Sequence, residues 1–294
     1  MSFEALRDRL QATATFLPDL PEETADATVR ALWLLAAGEA VSAEGAAGRS
    51  LPALSGEQQA ALSQLVEQRI QGAPLAHLTQ RQRFLGLEMI CSADALVPRK
   101  ETELLARTAI EHARTIAGAL GRCRIVDVCT GSGNVALGIA HEVPAARVFG
   151  ADLSESAVAL AKRNARELKL EDRVEFRAGD LLEPFRNGDF LGQVDVLTCN
   201  PPYISSGKVS NMPGQISSHE PRLAFDGGPL GISILMRLLN EAPAFVRPGG
   251  WLAFEVGLGQ GPALIKRMKA NPAFREVVPI MDAAGAIRTC SAQL

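Results

Sequence analysis

The segment Asn200-Pro201-Pro202-Tyr203 brings acceptor and aromatic groups together at the end of a predicted strand. Two prolines stiffen the segment and remove two backbone N–H donors, so their carbonyl oxygens remain available as acceptors. The side-chain oxygen of Asn200 and the carbonyl oxygen of Pro201 can then accept both N–H bonds of a planar NH₂ group. Tyr203 is the only tyrosine in the chain, and its ring can cover the flat face of such a group. We therefore expect these four residues to bind and position an amide or amine nitrogen.

A glycine-rich turn, DVCTGSG from Asp127 to Gly133, lies between a predicted strand and a predicted helix. Glycines at this place let the backbone approach a nucleotide-like ligand and tolerate positive φ. The turn also matches the dinucleotide fingerprint G-x-G-x-x-A, so by itself it does not distinguish an adenosine ligand from NAD. Asp152 ends the next strand, where a carboxylate can accept both hydroxyls of a ribose. The other interpretation of Asp152 is an acidic residue that favours the start of a helix.

Two further pairs of residues are candidates for the site, and the first of them follows the third predicted strand. Asp180 and Leu181 can hold the amino group and the ring of an adenine, although an ordinary turn explains them equally well. His219 and Glu220 follow the Asn-Pro-Pro-Tyr segment and either line the mouth of the site or serve a structural role.

From residue 124 onward, short apolar segments alternate with helical patterns. This alternation predicts a mainly parallel sheet with helices on both faces. Because only a short loop separates the last two segments, one of them must run antiparallel. We predict an α/β fold with the seven-stranded, Rossmann-like sheet that is usual in class I methyltransferases. The predicted strands are 124–128, 147–152, 173–178, 194–199, 251–256, 275–280 and 286–290.

The N-terminal part of the chain has a different character. Residues 24–37 and 55–70 have helical spacing, residues 38–56 are predicted to form a loop, and residues 79–98 form a hairpin or extended linker. A further helix is predicted over residues 101–117. We expect three parts: a helical substrate-recognition domain at 1–76, a hairpin linker at 77–98 and a catalytic domain at 99–294.

The composition limits the class of protein. Hydrophobic residues make up 47% of the chain, yet no apolar run is long enough to cross a bilayer. The charged N-terminus lacks the apolar core of a signal peptide, so we expect a cytoplasmic location. A net charge of -3 argues against a stand-alone nucleic-acid binder. The five cysteines include no CxxC pair, which predicts neither a disulfide framework nor a metal site.

Many of these segments together resemble the glutamine methyltransferases that modify translation proteins, the HemK or release-factor methyltransferase family. The resemblance extends over residues 55–290. Its matching stretches are 72–76, 97–103, 127–133, 152–154, 200–204, 219–221, 227–228, 255–257 with Gln260, and 282–288.

The resemblance implies that S-adenosylmethionine binds to the glycine turn, to the acid after the second strand and to the asparagine, and leaves as S-adenosylhomocysteine. The implied cofactor-binding residues are Cys129, Thr130, Gly131, Ser132, Gly133, Asp152, Leu181 and Asn200. The implied substrate-binding residues are Asn200, Pro201, Pro202 and Tyr203, and Asn200, Pro201 and Tyr203 are the implied catalytic residues. The implied acceptor is the side-chain amide nitrogen of a glutamine in a translation protein, either a release factor or a ribosomal protein.

The chain departs from the family pattern at several positions. Cys129 replaces the usual first glycine of the turn, and Lys100 replaces a usual proline. Residues 77–83 and an insert at 204–219 also differ. We further expect Arg99 and Glu101 to pair and fix the linker against the catalytic domain.

Three alternatives remain open at this stage. The same loop fits the exocyclic amine of adenine in DNA or RNA, although a flipped base needs an electropositive groove. A dehydrogenase is a second alternative, although Asn-Pro-Pro-Tyr has no role in hydride transfer. The third is an inactive, protein-binding relative, against which the intact segment argues.

Overall fold

The computed structural model describes residues 2–186, 188–209 and 220–294, and a seven-stranded sheet lies at its centre. The strand order is β5-β4-β3-β6-β7-β9-β8, and β9 runs antiparallel to both β7 and β8. A separate two-stranded hairpin pairs β1 with β2. The strands are β1 (Arg81–Phe84), β2 (Leu87–Ile90), β3 (Cys123–Val128), β4 (Ala146–Asp152), β5 (Val174–Ala178), β6 (Val194–Cys199), β7 (Val246–Glu255), β8 (Val277–Met281) and β9 (Ile287–Gln293).

The predicted sheet with an antiparallel end is thus confirmed. The main difference lies in β7, which begins at Val246 rather than at residue 251. Its first part contains Pro248, Gly249 and Gly250, which hide a strand from a search for apolar runs. A register shift between β6 and β7 accompanies this irregular start.

Helices cover both faces of the sheet. One apolar core lies under α6, α7 and α8, and a second lies under α10 and α11. None of the described helices has both the length and the apolar character required to cross a bilayer. The helices are α1 (Phe3–Thr13), α2 (Ala25–Ala36), α3 (Ala43–Ala46), α4 (Gly56–Ile70), α5 (Leu75–Thr79), α6 (Glu103–Leu120), α7 (Asn134–Glu142), α8 (Glu155–Glu167), α9 (Ser206–Val209), α10 (Ser233–Phe245) and α11 (Gly261–Lys269); 3₁₀ turns occupy Lys100–Thr102, Glu183–Phe185 and Arg222–Ala224.

Helices α1 to α5 share a third apolar core, which is separate from the two cores of the sheet. Helix α2 starts where Thr24 accepts a hydrogen bond from the amide of Ala27, and α4 starts with a capping box at Ser55. The prediction of a loop over 38–56 is wrong in one place. Ser42 caps the short helix α3 there, which is too brief to leave a periodic pattern.

The β1–β2 hairpin joins the helical segment to the sheet. Glu88 in β2 accepts hydrogen bonds from the amide and the hydroxyl of Ser42, at 2.5 and 3.0 Å. On the opposite side, Asn164 of α8 bonds both the amide and the carbonyl of Ile90. Gln82 in β1 donates to Glu22 at 2.5 Å. The domain limits at residues 76 and 98 stay a prediction.

Candidate active site

A cavity with about 1090 Å³ of empty space, its open mouth included, lies at the carboxyl ends of β3, β4 and β6. This is the edge at which open α/β sheets bind ligands. Most of the predicted site residues line it: Cys129, Thr130, Gly131, Ser132, Asp152, Leu181, Asn200 and Pro202. Gly133, Pro201 and Tyr203 do not form part of its wall.

The glycine turn after β3 requires left-handed backbone at alternate positions. Gly131 has φ of 55° and Gly133 has φ of 82°, a region that glycine adopts without strain. A Cβ on Gly133 would lie 2.8 Å from the ring of Phe176, so this position also needs glycine for packing. Gly133 directly precedes α7, whose first amide groups therefore face the same edge of the sheet as the turn.

Cys129 adopts the same left-handed region, with φ of 55°. The turn therefore keeps the conformation that glycine would favour, at a cost of about 1–2 kcal/mol for an L side chain. The departure at Cys129 changes the side chain that lines the cavity rather than the path of the backbone.

Asp127 stabilises the glycine turn through hydrogen bonds to its carboxylate. Its carboxylate is buried and accepts hydrogen bonds from the hydroxyls of Thr130, at 2.5 Å, and Thr198, at 2.7 Å. Burial raises the pKa of Asp127 to about 6, while the two hydroxyls act in the opposite direction. This residue thus holds the turn through its two hydroxyl partners and forms part of the cavity wall.

Asp152 ends β4 and faces the turn. Its two oxygens accept from the amides of Gly131, at 2.8 Å, and Ser154, at 2.9 Å. Burial raises the pKa of Asp152, and these backbone hydrogen bonds oppose the rise. Among the described residues it has no ion-pair partner, so each oxygen keeps a lone pair for a further donor.

Leu181 follows β5 and forms part of the same wall, buried and with φ of 48°. Its neighbour Asp180 pairs with Arg237 through two hydrogen bonds of 3.1 and 2.9 Å. Both side chains of this pair are close to half exposed. If Asp180 also contacts an adenine amino group, as predicted, its carboxylate must bind that group and the Arg237 guanidinium at the same time.

Asn200 lies at the end of β6 and forms part of the cavity wall together with Thr102. Its Nδ2 donates to the hydroxyl of Thr102 at 3.2 Å. No donor among the described residues bonds to its Oδ1. Pro201 is buried, and the Tyr203 hydroxyl donates to Glu101 at 3.1 Å. The structure thus places Asn200 and Pro202 on the wall, with Tyr203 directed toward charged groups behind it.

These charged groups were not identified as site residues from the sequence. Arg288 forms an ion pair with Glu101 at 2.7 Å and lies 3.9 Å from Glu255. Glu255 is 1% exposed, and burial raises its pKa to about 7. Burial also raises the pKa of Tyr203, so its phenol stays protonated. An acidic residue inside the apolar strand WLAFEV was the signal that could have drawn attention to Glu255.

Residues that follow position 220 support the Asn-Pro-Pro-Tyr loop. The amide of Ile204 donates to Phe225, and the amide of Gly227 donates back to Ile204 at 2.8 Å. Gln260 donates to the carbonyl oxygens of Tyr203, at 2.9 Å, and Gly231, at 3.2 Å. The backbone that follows Pro202 is therefore tied to two later segments.

The predicted pair of Arg99 and Glu101 is wrong. Arg99 instead donates to Glu220 at 2.7 Å and lies 3.4 Å from Asp19, because the return of the chain brings Glu220 beneath the linker. Glu220 also accepts from the amide of Val97 at 3.0 Å. His219 and residues 210–219 of the insert lie outside the described residues.

Lys100, the other departure from the family pattern, joins two parts of the chain. Its ammonium group pairs with Glu44 of α3 and with Glu103 of α6, both at 2.9 Å. The lysine side chain is 41% exposed, so solvent weakens both pairs.

Comparisons with known proteins agree with this geometry. A family model described as a methyltransferase domain matches residues 121–257. The release factor glutamine methyltransferase of Moorella thermoacetica is 39% identical over 225 residues, which cover 76% of this chain and 75% of that relative. The enzyme of the same name from Bradyrhizobium diazoefficiens is 33% identical over 268 residues, or 91% of this chain and 88% of that relative.

Solved structures show the same fold at much lower identity. The catalytic domain of human Mettl16 in complex with a MAT2A RNA hairpin superposes with a TM-score of 0.54 and 14% identity, covering 71% of this chain and 76% of that one. The N-terminal domain of human METTL16 in complex with SAH gives a TM-score of 0.51, with the same identity and coverage. The chain belongs to the release factor glutamine methyltransferase family, and S-adenosylmethionine is its methyl donor.

Proposed function

We propose that this enzyme methylates the side-chain amide nitrogen, N5, of a glutamine in a peptide chain release factor. The observation that carries the proposal is the orientation of Asn200. Its amide nitrogen is engaged by Thr102, which leaves Oδ1 as a hydrogen-bond acceptor at the cavity wall. An acceptor at this place suits a substrate group that brings N–H donors, as a primary amide does.

The described residues fit the methyl donor. Asp152 is a mostly buried carboxylate without a cationic partner, and its remaining lone pairs suit the two hydroxyls of a ribose. The turn from Cys129 to Gly133 would hold the amino-acid end beside the start of α7, and Leu181 would contact the adenine ring. S-adenosylmethionine supplies a methyl group on a positively charged sulfur, which is a strong electrophile.

The task of the protein is to make an amide nitrogen reactive. The lone pair of this nitrogen is delocalised into the carbonyl group, so the free amide is a poor nucleophile. Oδ1 of Asn200 and the carbonyl oxygen of Pro201 would accept the two N–H bonds, fix the NH₂ group and stabilise the positive charge that develops on nitrogen. Both acceptors belong to a stiff, supported loop, so little reorganisation is needed when the nitrogen attacks.

We further propose that residues 1–76 contribute to recognition of the protein substrate. The helical segment contacts the site through the linker: Arg99 joins Asp19 to Glu220, and Lys100 joins Glu44 to the start of α6. A net charge of -3 suits a protein partner better than a nucleic acid. Free glutamine should react poorly, because it lacks the remote contacts that position the amide.

Methyl transfer to a panel of acceptors tests the substrate. The panel contains a release factor with a Gly-Gly-Gln loop, the same factor with Gln→Ala in that loop, and DNA and RNA that contain adenine. We expect label in the first factor alone, with the added methyl located on the glutamine by mass spectrometry. Label in the Gln→Ala factor or in either nucleic acid would overturn the glutamine assignment.

The variant Asn200→Ala tests the site. Turnover should fall by about 10²–10³-fold, as for loss of one preorganised partner of the reacting group. Binding of S-adenosylmethionine should weaken far less if the glycine turn and Asp152 supply most of the donor's contacts. Turnover at the wild-type rate in a folded Asn200→Ala protein would show that Asn200 does not bind the substrate NH₂ group.

A further inference from the structure

The amide of Asn200 can present either of two faces to the cavity. A rotation of half a turn exchanges Oδ1 with Nδ2, and the two ends have opposite hydrogen-bonding character. With Oδ1 toward the cavity, Asn200 accepts from a substrate NH₂ group. With Nδ2 toward the cavity, the NH₂ group of Asn200 would face the NH₂ group of the substrate, and two donors cannot form a hydrogen bond. Something in the protein must therefore select the first orientation.

The Thr102 hydroxyl is the only group among the described residues that hydrogen-bonds the Asn200 side chain. Thr102 is 1% exposed and ends the 3₁₀ turn that precedes α6. A hydroxyl can accept from Nδ2 or donate to Oδ1, so Thr102 alone permits both orientations. The choice depends on where the hydroxyl proton goes.

Glu255 is the last residue of β7, and the Thr102 hydroxyl is one of the groups near its carboxylate. It is 1% exposed, and neither carboxylate oxygen has a well-formed hydrogen bond within the described part of the chain. Burial raises the pKa of Glu255 to about 7, and the nearby hydroxyls of Thr102 and Tyr203 oppose that rise. Hydroxyls near a carboxylate favour its charged form because they can donate to it, and the single Tyr203 proton is shared between Glu255 and Glu101.

An ionised carboxylate accepts hydrogen bonds and cannot donate them. When Glu255 is charged, the Thr102 proton is directed toward it. The Thr102 oxygen then offers its lone pairs to Nδ2 of Asn200, and Oδ1 is left facing the cavity. When Glu255 is protonated, its own O–H can donate to Thr102. The hydroxyl proton of Thr102 is then free to point at Asn200, and the amide can reverse.

We propose that Glu255 and Thr102 are positioning residues that fix the direction of the Asn200 amide, so that its oxygen rather than its NH₂ group faces the acceptor nitrogen. This inference rests on the proposed function only in requiring that the acceptor nitrogen carry hydrogen. It therefore holds for a glutamine amide and for an adenine amine alike.

Three other charged or titratable groups face Glu255. Glu101, on the 3₁₀ turn, favours the protonated form of Glu255, and Arg288, from β9, favours the charged form. Arg288 itself is closer to Glu101, at 2.7 Å against 3.9 Å to Glu255. Tyr203 adds a hydroxyl whose pKa is raised by burial. Glu255 is thus only partly compensated, and its charge state can change near neutral pH.

The test compares two nearly isosteric changes, Glu255→Gln and Thr102→Val, with Thr102→Ser, using whichever acceptor of the panel the wild-type enzyme methylates. We expect kcat to fall by about 100-fold in the first two variants, on the scale of one lost preorganised partner. Thr102→Ser keeps the hydroxyl and should restore most of the rate. Affinity for S-adenosylmethionine and the melting temperature should change little in all three. Wild-type kcat in a folded Thr102→Val protein overturns the proposal.

The pH profile separates positioning from a general structural role. Wild-type kcat should rise between pH 6 and 8 as Glu255 ionises, because only the carboxylate form fixes the Thr102 proton. In Glu255→Gln this rise should vanish while a low rate persists. A rise of unchanged midpoint and amplitude in Glu255→Gln would refute the role of Glu255.

A measurement without any acceptor keeps this test independent of the substrate. In wild-type protein at pH 8, NMR should show an Overhauser contact between the Nδ2 protons of Asn200 and the methyl group of Thr102. The contact should weaken at pH 6 and in Glu255→Gln. An equally strong contact under all three conditions overturns the proposal, whereas label on nucleic acid in the panel would overturn only the glutamine assignment.

Discussion

A substitution at Gly227 can displace the catalytic loop, residues 200–203, without changing any side chain of that loop. It is buried in the segment that returns beneath Asn-Pro-Pro-Tyr. A Cβ built on Gly227 would lie 2.9 Å from Cα of Gly231 and still closer to the carbonyl oxygen of Pro202. All of these neighbouring atoms belong to the backbone, so no side-chain rotation can relieve the overlap. The variant Gly227→Ala must therefore move the loop.

The required movement follows from the contact distances. Ordinary contact to a Cβ begins at 3.4 Å, so the gap to Gly231 must widen by 3.4 − 2.9 = 0.5 Å, and the gap to Pro202 by more. The total displacement is on the order of 1 Å, which at a reacting centre can cost about 100-fold in rate. The same overpacking should lower the free energy of unfolding by about 1–3 kcal/mol.

The assay measures kcat at saturating methyl donor, the affinity for that donor by calorimetry, and the melting curve. We expect a large fall in kcat and nearly unchanged donor affinity, because Gly227 packs on the catalytic loop rather than on the glycine turn. Gly118→Ala is the matched control: it lies in α6, and a Cβ there meets nothing within 4 Å. If folded Gly227→Ala turned over as fast as Gly118→Ala, the loop would not need the position that we describe.

Three further outcomes are expected. Asp152→Ala should weaken S-adenosylmethionine binding by about 2–4 kcal/mol in calorimetry, since charge-assisted bonds to the ribose are lost; unchanged affinity would contradict the assignment. Burial lowers the pKa of His112 to about 4, so its contribution to stability is complete above the unfolded pKa of 6.5 and is lost as pH falls toward 4. As pH falls from 6.5 to 4, wild type should therefore lose about 3 kcal/mol of unfolding free energy relative to His112→Phe, and an unchanged difference would refute this. Arg99→Met, which removes the 2.7 Å ion pair with the buried Glu220, should cost about 3–5 kcal/mol of unfolding free energy in urea titrations, whereas Lys100→Met should cost less than about 1; equal losses would contradict the burial argument.

The strands and the cavity-facing loops could be predicted because their signals are local. A buried parallel strand needs a short apolar run, and a left-handed turn needs glycine, so β3 to β6 and the turn at Gly131 and Gly133 are visible in the sequence. The first part of β7 has no such run and was missed. The predicted loop over 38–56 hid α3 because a four-residue helix has no period to detect.

The partners of charged residues could not be predicted, because they depend on long-range packing. Arg99 pairs with Glu220, 121 positions away, rather than with the nearby Glu101. Glu101 lies instead beside Arg288, which enters from the antiparallel strand β9. Such pairs join residues that are far apart in the sequence, so no local pattern records them.

The support of the catalytic loop divides into two physically different parts. Its backbone packs closely against glycines that leave no room for a side chain. A Cβ on Gly231 would overlap the carbonyl of Tyr203, and a Cβ on Gly257 would lie 3.0 Å from the Tyr203 ring. The asparagine amide, by contrast, is held by Thr102 and by the buried charge behind it. Close packing cannot distinguish the two ends of an amide, because oxygen and NH₂ have nearly the same size. Only a group with a fixed hydrogen-bonding direction can, and this gives a physical reason for a costly buried carboxylate at the end of an otherwise apolar strand.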